Sequence, residues 1–361
     1  MIPIAKPLIG QDEIRGVVDV LQSGTIAEGP RVKEFEDAFA SYVGTKHAVA
    51  VNSGTAALLV ALLARDIGPG DEVIVPPFTF IATANAVLFT GARPVFADVE
   101  PRTFNIDPAK IRAKINRHTK AIIPVDLYGH PAPMGEIMEI AEKHHLSVIE
   151  DACQAHGAAI GGHKCGSFDI GCFSFYPTKN MTTSEGGMIT TDDSTVAEMA
   201  RMIRSHGSKV RYYHEMLGFN LRMTDISAAI GLAQLKNVDR YDDMRIVNAL
   251  RLNEKLSGIE GIATPEIGPG CRHVFHQYTV RITPGFGMSR DEVIRKLTDA
   301  GIGTGVYYPV PIHKQTYYRS LGYDDHLPVS ERLSREVVSL PVHPAVTPEE
   351  IDFIADTFRR L

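Results

Sequence analysis

Short apolar runs recur along the chain at 72–75, 94–98, 121–125, 146–149, 170–175 and 187–190, and helical patterns separate several of them. No other feature limits the fold as strongly. Strands interleaved with helices point to an α/β domain built on a largely parallel sheet. One intervening stripe is Met134, Ile137, Met138 and Ala141, spaced i, i+3, i+4, i+7 as on one helix face. Earlier, Pro30 opens a stripe through Val32, Phe35, Ala38, Phe39 and Tyr42 that stops at Gly44. A short strand at 47–51 then leads through Asn52-Ser53-Gly54-Thr55 into an apolar segment ending at Ala64. A helix that is apolar all round is a buried helix.

The last third reads differently. Ile226, Ala229, Ile230 and Ala233 mark a helix, and a charged helical stretch follows to about residue 257. A Gly- and Pro-containing connector at 258–270 precedes a strand at 274–282. Ser289-Arg290-Asp291-Glu292 is a capping box opening a helix that stops at Gly301. Thr347-Pro348-Glu349-Glu350 is a second, leading into Ile351, Ile354, Ala355 and Phe358. These elements predict a large domain over 1–240 and a smaller C-terminal α+β domain over 241–361.

A chain of 361 residues exceeds what one core usually supports, in keeping with two domains. A net charge of −6 and a pI near 6.2 argue against nucleic acid or an anionic membrane as partner. The longest uninterrupted apolar run, 56–64, is too short to span a bilayer. Met1-Ile2-Pro3-Ile4-Ala5-Lys6-Pro7 lacks the apolar core of a signal peptide, so a cytoplasmic location is expected. Four cysteines in so long a chain do not form a disulfide framework. Cys165 and Cys172, with His163 nearby, lack the paired spacing of a structural zinc site, so they read as packing cysteines and no metal is expected.

Two of the strand-like runs end in complementary chemistry. The run at 170–175 enters the turn Tyr176-Pro177-Thr178-Lys179-Asn180, which presents Lys179 at its edge. An amine held there can form a Schiff base with an aldehyde cofactor. The run at 146–149 ends in Glu150-Asp151. Pyridoxal phosphate (PLP) needs this pair: a lysine for its aldehyde and an acid to keep its ring nitrogen protonated as an electron sink. Taken singly, the lysine is a solvated side chain and the aspartate a helix cap. Ligands of parallel sheets collect at the carboxyl ends of the strands. The turn Asn52–Thr55 opens a helix there, and its N–H groups suit a phosphate. An ordinary cap is an equally open reading of that turn by itself.

Longer motifs surround these residues. Asn52-Ser53-Gly54-Thr55-Ala56-Ala57-Leu58, Thr79-Phe80-Ile81-Ala82-Thr83-Ala84-Asn85, Glu150-Asp151-Ala152-Cys153-Gln154-Ala155, the lysine segment through Glu185-Gly186-Gly187-Met188, and Gly218-Phe219-Asn220-Leu221-Arg222-Met223-Thr224-Asp225 follow in order. Together they resemble the DegT/DnrJ/EryC1/StrS sugar aminotransferases, from about residue 24 to residue 344. The resemblance implies the fold type I (aspartate aminotransferase-like) architecture, PLP, and transfer of an amino group from glutamate to a nucleotide-linked keto sugar for amino-sugar or surface-polysaccharide synthesis. It implies phosphate contacts from Gly54, Thr55 and the Ser174 hydroxyl, ring stacking by Phe80, and a hydrogen bond from Gln154 to the ring hydroxyl oxygen. Lys179 is implied as general acid and base, and Asp151 as partner of the ring nitrogen. Some family members carry histidine at the lysine position and are dehydratases, so Lys179 favours the aminotransferase.

The resemblance also implies a homodimer with shared active sites, in which Asn220 reaches the partner's cofactor phosphate. Phe219 and Leu221 are apolar where Asn220 and Arg222 are polar, an alternation that puts the polar pair on one side. For the sugar, Arg222 offers a planar fork to phosphate or carboxylate, and Tyr308 and His313 of the segment 307–313 are candidates for its hydroxyls. The basic stretch Arg201–Arg211 is a further candidate for a nucleotide diphosphate. The run Asn52–Leu58 resembles the branch that aminates ring carbon 4, since the carbon-3 branch more often has Asp where Ala56 stands. A 3-keto sugar, or a catalytically inert regulatory relative of the same fold, are the alternative readings. Retention of Lys179, Asp151 and Gln154 together argues against the inert one.

Overall fold

A seven-stranded sheet organises the first part of the chain in the computed structural model, which describes residues 1–361. Across the sheet the strands run His47–Val51, Gly187–Thr191, Ile170–Ser174, Ser147–Asp151, Thr119–Ile122, Glu72–Val75 and Arg93–Phe96. Gly187–Thr191 pairs antiparallel with both neighbours, and the other strands run parallel to one another. Val51, Asp151 and Ser174 therefore end at one edge of the sheet, the edge where α/β folds bind ligands.

Both faces of the sheet are covered, which is why its strands read as apolar runs without clean alternation. On one face lies the helix Gly54–Ala64, capped by Ser53 Oγ accepting from Ala56 N at 3.1 Å. It buries Ala57, Leu58, Val60, Ala61 and Leu62, as expected of a helix apolar all round. Each large side chain so buried contributes about 1.5–3 kcal/mol, and Leu62→Ala, which opens a cavity, costs about 2–5 kcal/mol. On the other face, Phe35 and Phe39 of the helix Pro30–Val43 meet Phe173 and Phe175. Phe39 lies edge-to-face on Phe173, with centroids 4.9 Å apart. Neighbouring residues Cys172 and Phe173 thus serve opposite cores.

A second core forms around the three-stranded sheet of Ile262–Ala263, Tyr278–Ile282 and Val337–Leu340. Ala249, Leu252 and Leu256 of the helix Val238–Leu256, Leu297 of Arg290–Asp299 and Phe358 of Pro348–Arg359 pack into it. Residue 240 lies in the first turn of Val238–Leu256. The N-terminus joins this second core: Ile2 is buried there, and its N–H donates to Gly301 O at 2.8 Å.

The strand expected at 274–282 begins only at Tyr278. Phe275 stands at φ +46°, outside extended backbone, and its ring stacks on His273 at 3.8 Å. The residues before Tyr278 form a loop that brings His276 and Gln277 to the cavity described below. The helix Pro328–Glu336 is tied to the chain just past the strand Arg93–Phe96 by Asp98, whose buried carboxylate accepts from Val329 N and Ser330 N, both at 3.0 Å.

Candidate active site

A cavity of about 450 Å³ opens at the carboxyl edge of the large sheet. Gly54, Thr55, Phe80, Asp151, Gln154 and Ser174 line it, together with Lys179 and Tyr308. Residues far apart in sequence meet because parallel strands deliver their ends to the same place.

The phosphate end is built by close approach. A Cβ on Gly54 stands 2.6 Å from Ser174 Cβ and 3.0 Å from Cys153 Sγ, so only glycine lets the helix start lie against the strand end. Likewise a Cβ on Gly187 meets Ser53 O at 2.3 Å. The N–H groups of Gly54 and Thr55 have no acceptor in the chain. Two free donors at the positive end of a helix, beside the Ser174 hydroxyl, suit a phosphate dianion.

Asp151 is buried and held from two directions. Thr83 Oγ1 donates to its Oδ2 at 2.8 Å, and Cys153 N donates to Oδ1 at 3.3 Å. Thr83 is in turn steadied by Thr79, 3.3 Å away. A carboxylate fixed in this way is an oriented acceptor for a protonated ring nitrogen.

Lys179 sits on the turn after Ile170–Ser174, its N–H donating to Tyr176 O at 2.9 Å. Its amine faces the cavity, where burial lowers its pKa against the opposing pull of Cys153 and Asp151. Beside it, burial and the Lys179 charge hold His156 neutral, with a pKa of about 3. His276 is likewise held well below the usual imidazole range, chiefly by burial.

Gln154 is fixed at both ends of its amide. Oε1 accepts from Tyr128 N at 2.9 Å, and Nε2 donates to the Tyr308 hydroxyl at 3.2 Å. The Tyr308 ring lies 6.1 Å from that of Phe80, tilted 38°. Phe80 is 55% exposed, a large apolar ring left uncovered at the cavity wall. Tyr128, whose N–H holds Gln154, also donates from its hydroxyl to Tyr307 O.

Three expected residues lie elsewhere. His313 does not reach the cavity: Ile312 N donates to Pro77 O at 2.8 Å, drawing the turn inward. There His313 is fully buried, its Nε2 is 3.2 Å from Glu331 Oε1, and its ring packs on Phe96. It fastens the loop and is not open to sugar hydroxyls. Asn220 and Arg222 are exposed outside this chain's own cavity. They do share a side of the backbone, with Arg222 Nε donating to Asn220 Oδ1 at 3.1 Å. Between them, Leu221 O accepts from Asn52 N at 2.8 Å, which sets the pair beside the phosphate turn. In the basic stretch, Arg204 is consumed inside the fold, paired with Glu28 and Glu36, each at 2.6 Å.

Thr83, Tyr128, His276 and Gln277 have parts in the site that the motif reading did not assign. Thr83 carried a signal, four residues after Thr79 in a quoted motif; the others depend on contacts across the fold.

The DegT/DnrJ/EryC1/StrS aminotransferase family matches residues 7–359. This chain belongs to that family. A UDP-N-acetyl-3-dehydro-alpha-D-glucosamine 3-aminotransferase of Acidithiobacillus ferrooxidans is 44% identical over 353 residues, spanning 97% of this chain and 94% of that protein. The GDP-perosamine synthase of Caulobacter vibrioides is 44% identical over 356 residues, spanning 97% and 95%. Spr1654 from Streptococcus pneumoniae, solved in its PLP form, superposes with a TM-score of 0.94 at 31% identity, covering 99% of this chain and 98% of that one. As a DegT/DnrJ/EryC1/StrS aminotransferase the chain has the fold of PLP-dependent enzymes and takes PLP as its cofactor. Its residues fit that group: unpaired donors for the phosphate, a fixed acid for the ring nitrogen, and an amine on the same cavity.

Proposed function

We propose that this aminotransferase moves an amino group from glutamate to a keto sugar linked to a nucleotide, with the 4-keto sugar as substrate. The observation that carries the reading is the placement of Lys179 and Asp151 on one cavity with the free N–H groups of Gly54 and Thr55. When bound, PLP supplies an electron sink for the charge left at the carbon that loses a proton. Gly54, Thr55 and Ser174 hold the phosphate. Asp151, aligned by Thr83, keeps the ring nitrogen protonated. Phe80 covers the ring face, and Gln154 is presented to the ring hydroxyl.

Lys179 Nζ removes the proton at the donor's Cα and later delivers one to the sugar carbon that receives nitrogen. Burial favours its free amine at a lower pH than for an exposed lysine, as a general base requires. Tyr308, beside Gln154, faces the sugar. Names of relatives support the nucleotide-sugar class, and the two quoted above are equally identical to this chain. The carbon-4 assignment rests on Ala56 after Thr55. We further propose a two-fold dimer in which Asn220 of one subunit completes the phosphate site of the other, since Asn220 and Arg222 are exposed and do not line their own cavity.

The direct test incubates pyridoxamine-phosphate-loaded enzyme with nucleotide-linked 3-keto and 4-keto sugars. Amination of the 4-keto sugar is expected. Preference for the 3-keto sugar overturns the position, and no amination of either overturns the substrate class.

A further inference from the structure

Behind the wall that carries Asp151 lies a buried acidic group that the proposed reaction does not use. Successive residues of a strand face opposite sides, so as Asp151 enters the cavity, Glu150 enters the core behind it. There it meets Asp126 and Cys165, their ligand atoms all within 4.8 Å of one another. Asp126 and Glu150 are wholly buried, and Cys165 is 1% exposed. Neither carboxylate has a cationic partner.

Two oxygens stand out. Asp126 Oδ1 accepts from Ala132 N at 2.7 Å and Glu150 Oε2 from Phe168 N at 3.4 Å, but Asp126 Oδ2 and Glu150 Oε1 have no donor. Two ionised carboxylates cannot share such a site, because burial and like charge both disfavour the second charge. A proton between the unpaired oxygens supplies the missing bond.

The pair also touches the cofactor wall. Asp126 N donates to Asp151 O at 3.1 Å, and Asp151 N to Pro124 O at 2.9 Å. Asp126 opens the turn whose Tyr128 N–H holds Gln154. We propose that Asp126 and Glu150 share one proton, carried on Glu150 and donated to Asp126, and that they act as positioning residues for Asp151 and Gln154. One negative charge then resides on Asp126, with the Cys165 thiol also kept protonated beside it. The positioning role rests on the assignment of Asp151 and Gln154 to the cofactor.

The charge state follows from the burial of both carboxyls. Burial and the Asp126 charge drive Glu150 well above the carboxylate range, while burial also raises Asp126. The other ionisable groups facing Asp126 are Asp151, Cys165 and Cys271, none of them cationic.

Infrared spectroscopy of the holoenzyme at mildly alkaline pH reads the proton directly. A protonated-carboxyl C=O stretch is expected that is lost both in Glu150→Gln and in Asp126→Asn, where a permanent amide donor replaces the shared proton. The absence of any single band that both variants remove, or a stoichiometric divalent cation in metal analysis, overturns the shared proton. Since this readout needs no substrate, it is unaffected if the substrate reading fails. For positioning, Glu150→Ala should lower kcat on the order of tenfold with little change in KM, and Glu150→Gln should recover most of it. An unchanged kcat in a folded Glu150→Ala overturns the positioning role.

Discussion

Thr83 Oγ1 donates to Asp151 Oδ2 at 2.8 Å, joining residues 68 positions apart at the centre of the cavity wall. Asp151 has only this hydroxyl and the Cys153 N–H to fix its carboxylate. Thr83→Val preserves shape and removes the donor. A hydrogen bond to a charged group contributes about 1.5–3 kcal/mol. Felt in the transition state, that is a fall in kcat of about tenfold or more. Steady-state kinetics alongside a cofactor titration checks this: PLP should still bind, and the rate should drop.

Gly54→Ala addresses the phosphate end. Its Cβ stands 2.6 Å from Ser174 Cβ, a contact that must be relieved by pushing the helix start off the strand end. Cofactor affinity should fall in an absorbance titration, with far-UV circular dichroism unchanged. Wild-type affinity would show that close approach is not needed there.

How much of this was legible beforehand divides along physical lines. Asp151 and Ser174 end strands, and Gly54 and Lys179 follow strand ends within a few residues; strand ends are marked by apolar runs, so their convergence is legible in the sequence. The buried helix Gly54–Ala64 and both capping boxes were equally local signals. His313 is legible only in the fold, because its place depends on Ile312 N finding Pro77 O, a contact no local pattern records. The late start of Tyr278–Ile282 turns on one backbone angle, at Phe275. Glu150 looked like a neighbour of the important acid; only the fold shows that it faces Asp126 across the core.

His156 makes the acid side of stability testable. Its ring packs between Phe173 and Phe175, at 5.3 and 5.5 Å, and neither nitrogen has a partner. The folded pKa of about 3 lies below the unfolded value of about 6.5. The group therefore contributes stability above the unfolded pKa that is lost as pH falls towards the folded one. His156→Phe should keep the packing and lose this sensitivity. Chemical denaturation across that pH range should show a flatter profile than for wild type.

Subunit sharing has a complementation test. Lys179→Ala and an Asn220→Ala, Arg222→Ala double variant should each be inactive alone. A mixed two-fold dimer carries one site with every lesion and one with none. Random exchange gives about half mixed dimers, hence roughly a quarter of wild-type sites. No recovery after verified exchange moves Asn220 out of the partner's site.

The central claim is that Lys179 is the amine that engages the cofactor. The most direct measurement is borohydride reduction of the PLP-loaded protein, followed by proteolysis and mass spectrometry. A phosphopyridoxyl adduct on Lys179, abolished in Lys179→Ala, is the predicted result. An adduct on another lysine, or none on a protein that binds PLP and turns over, would contradict it.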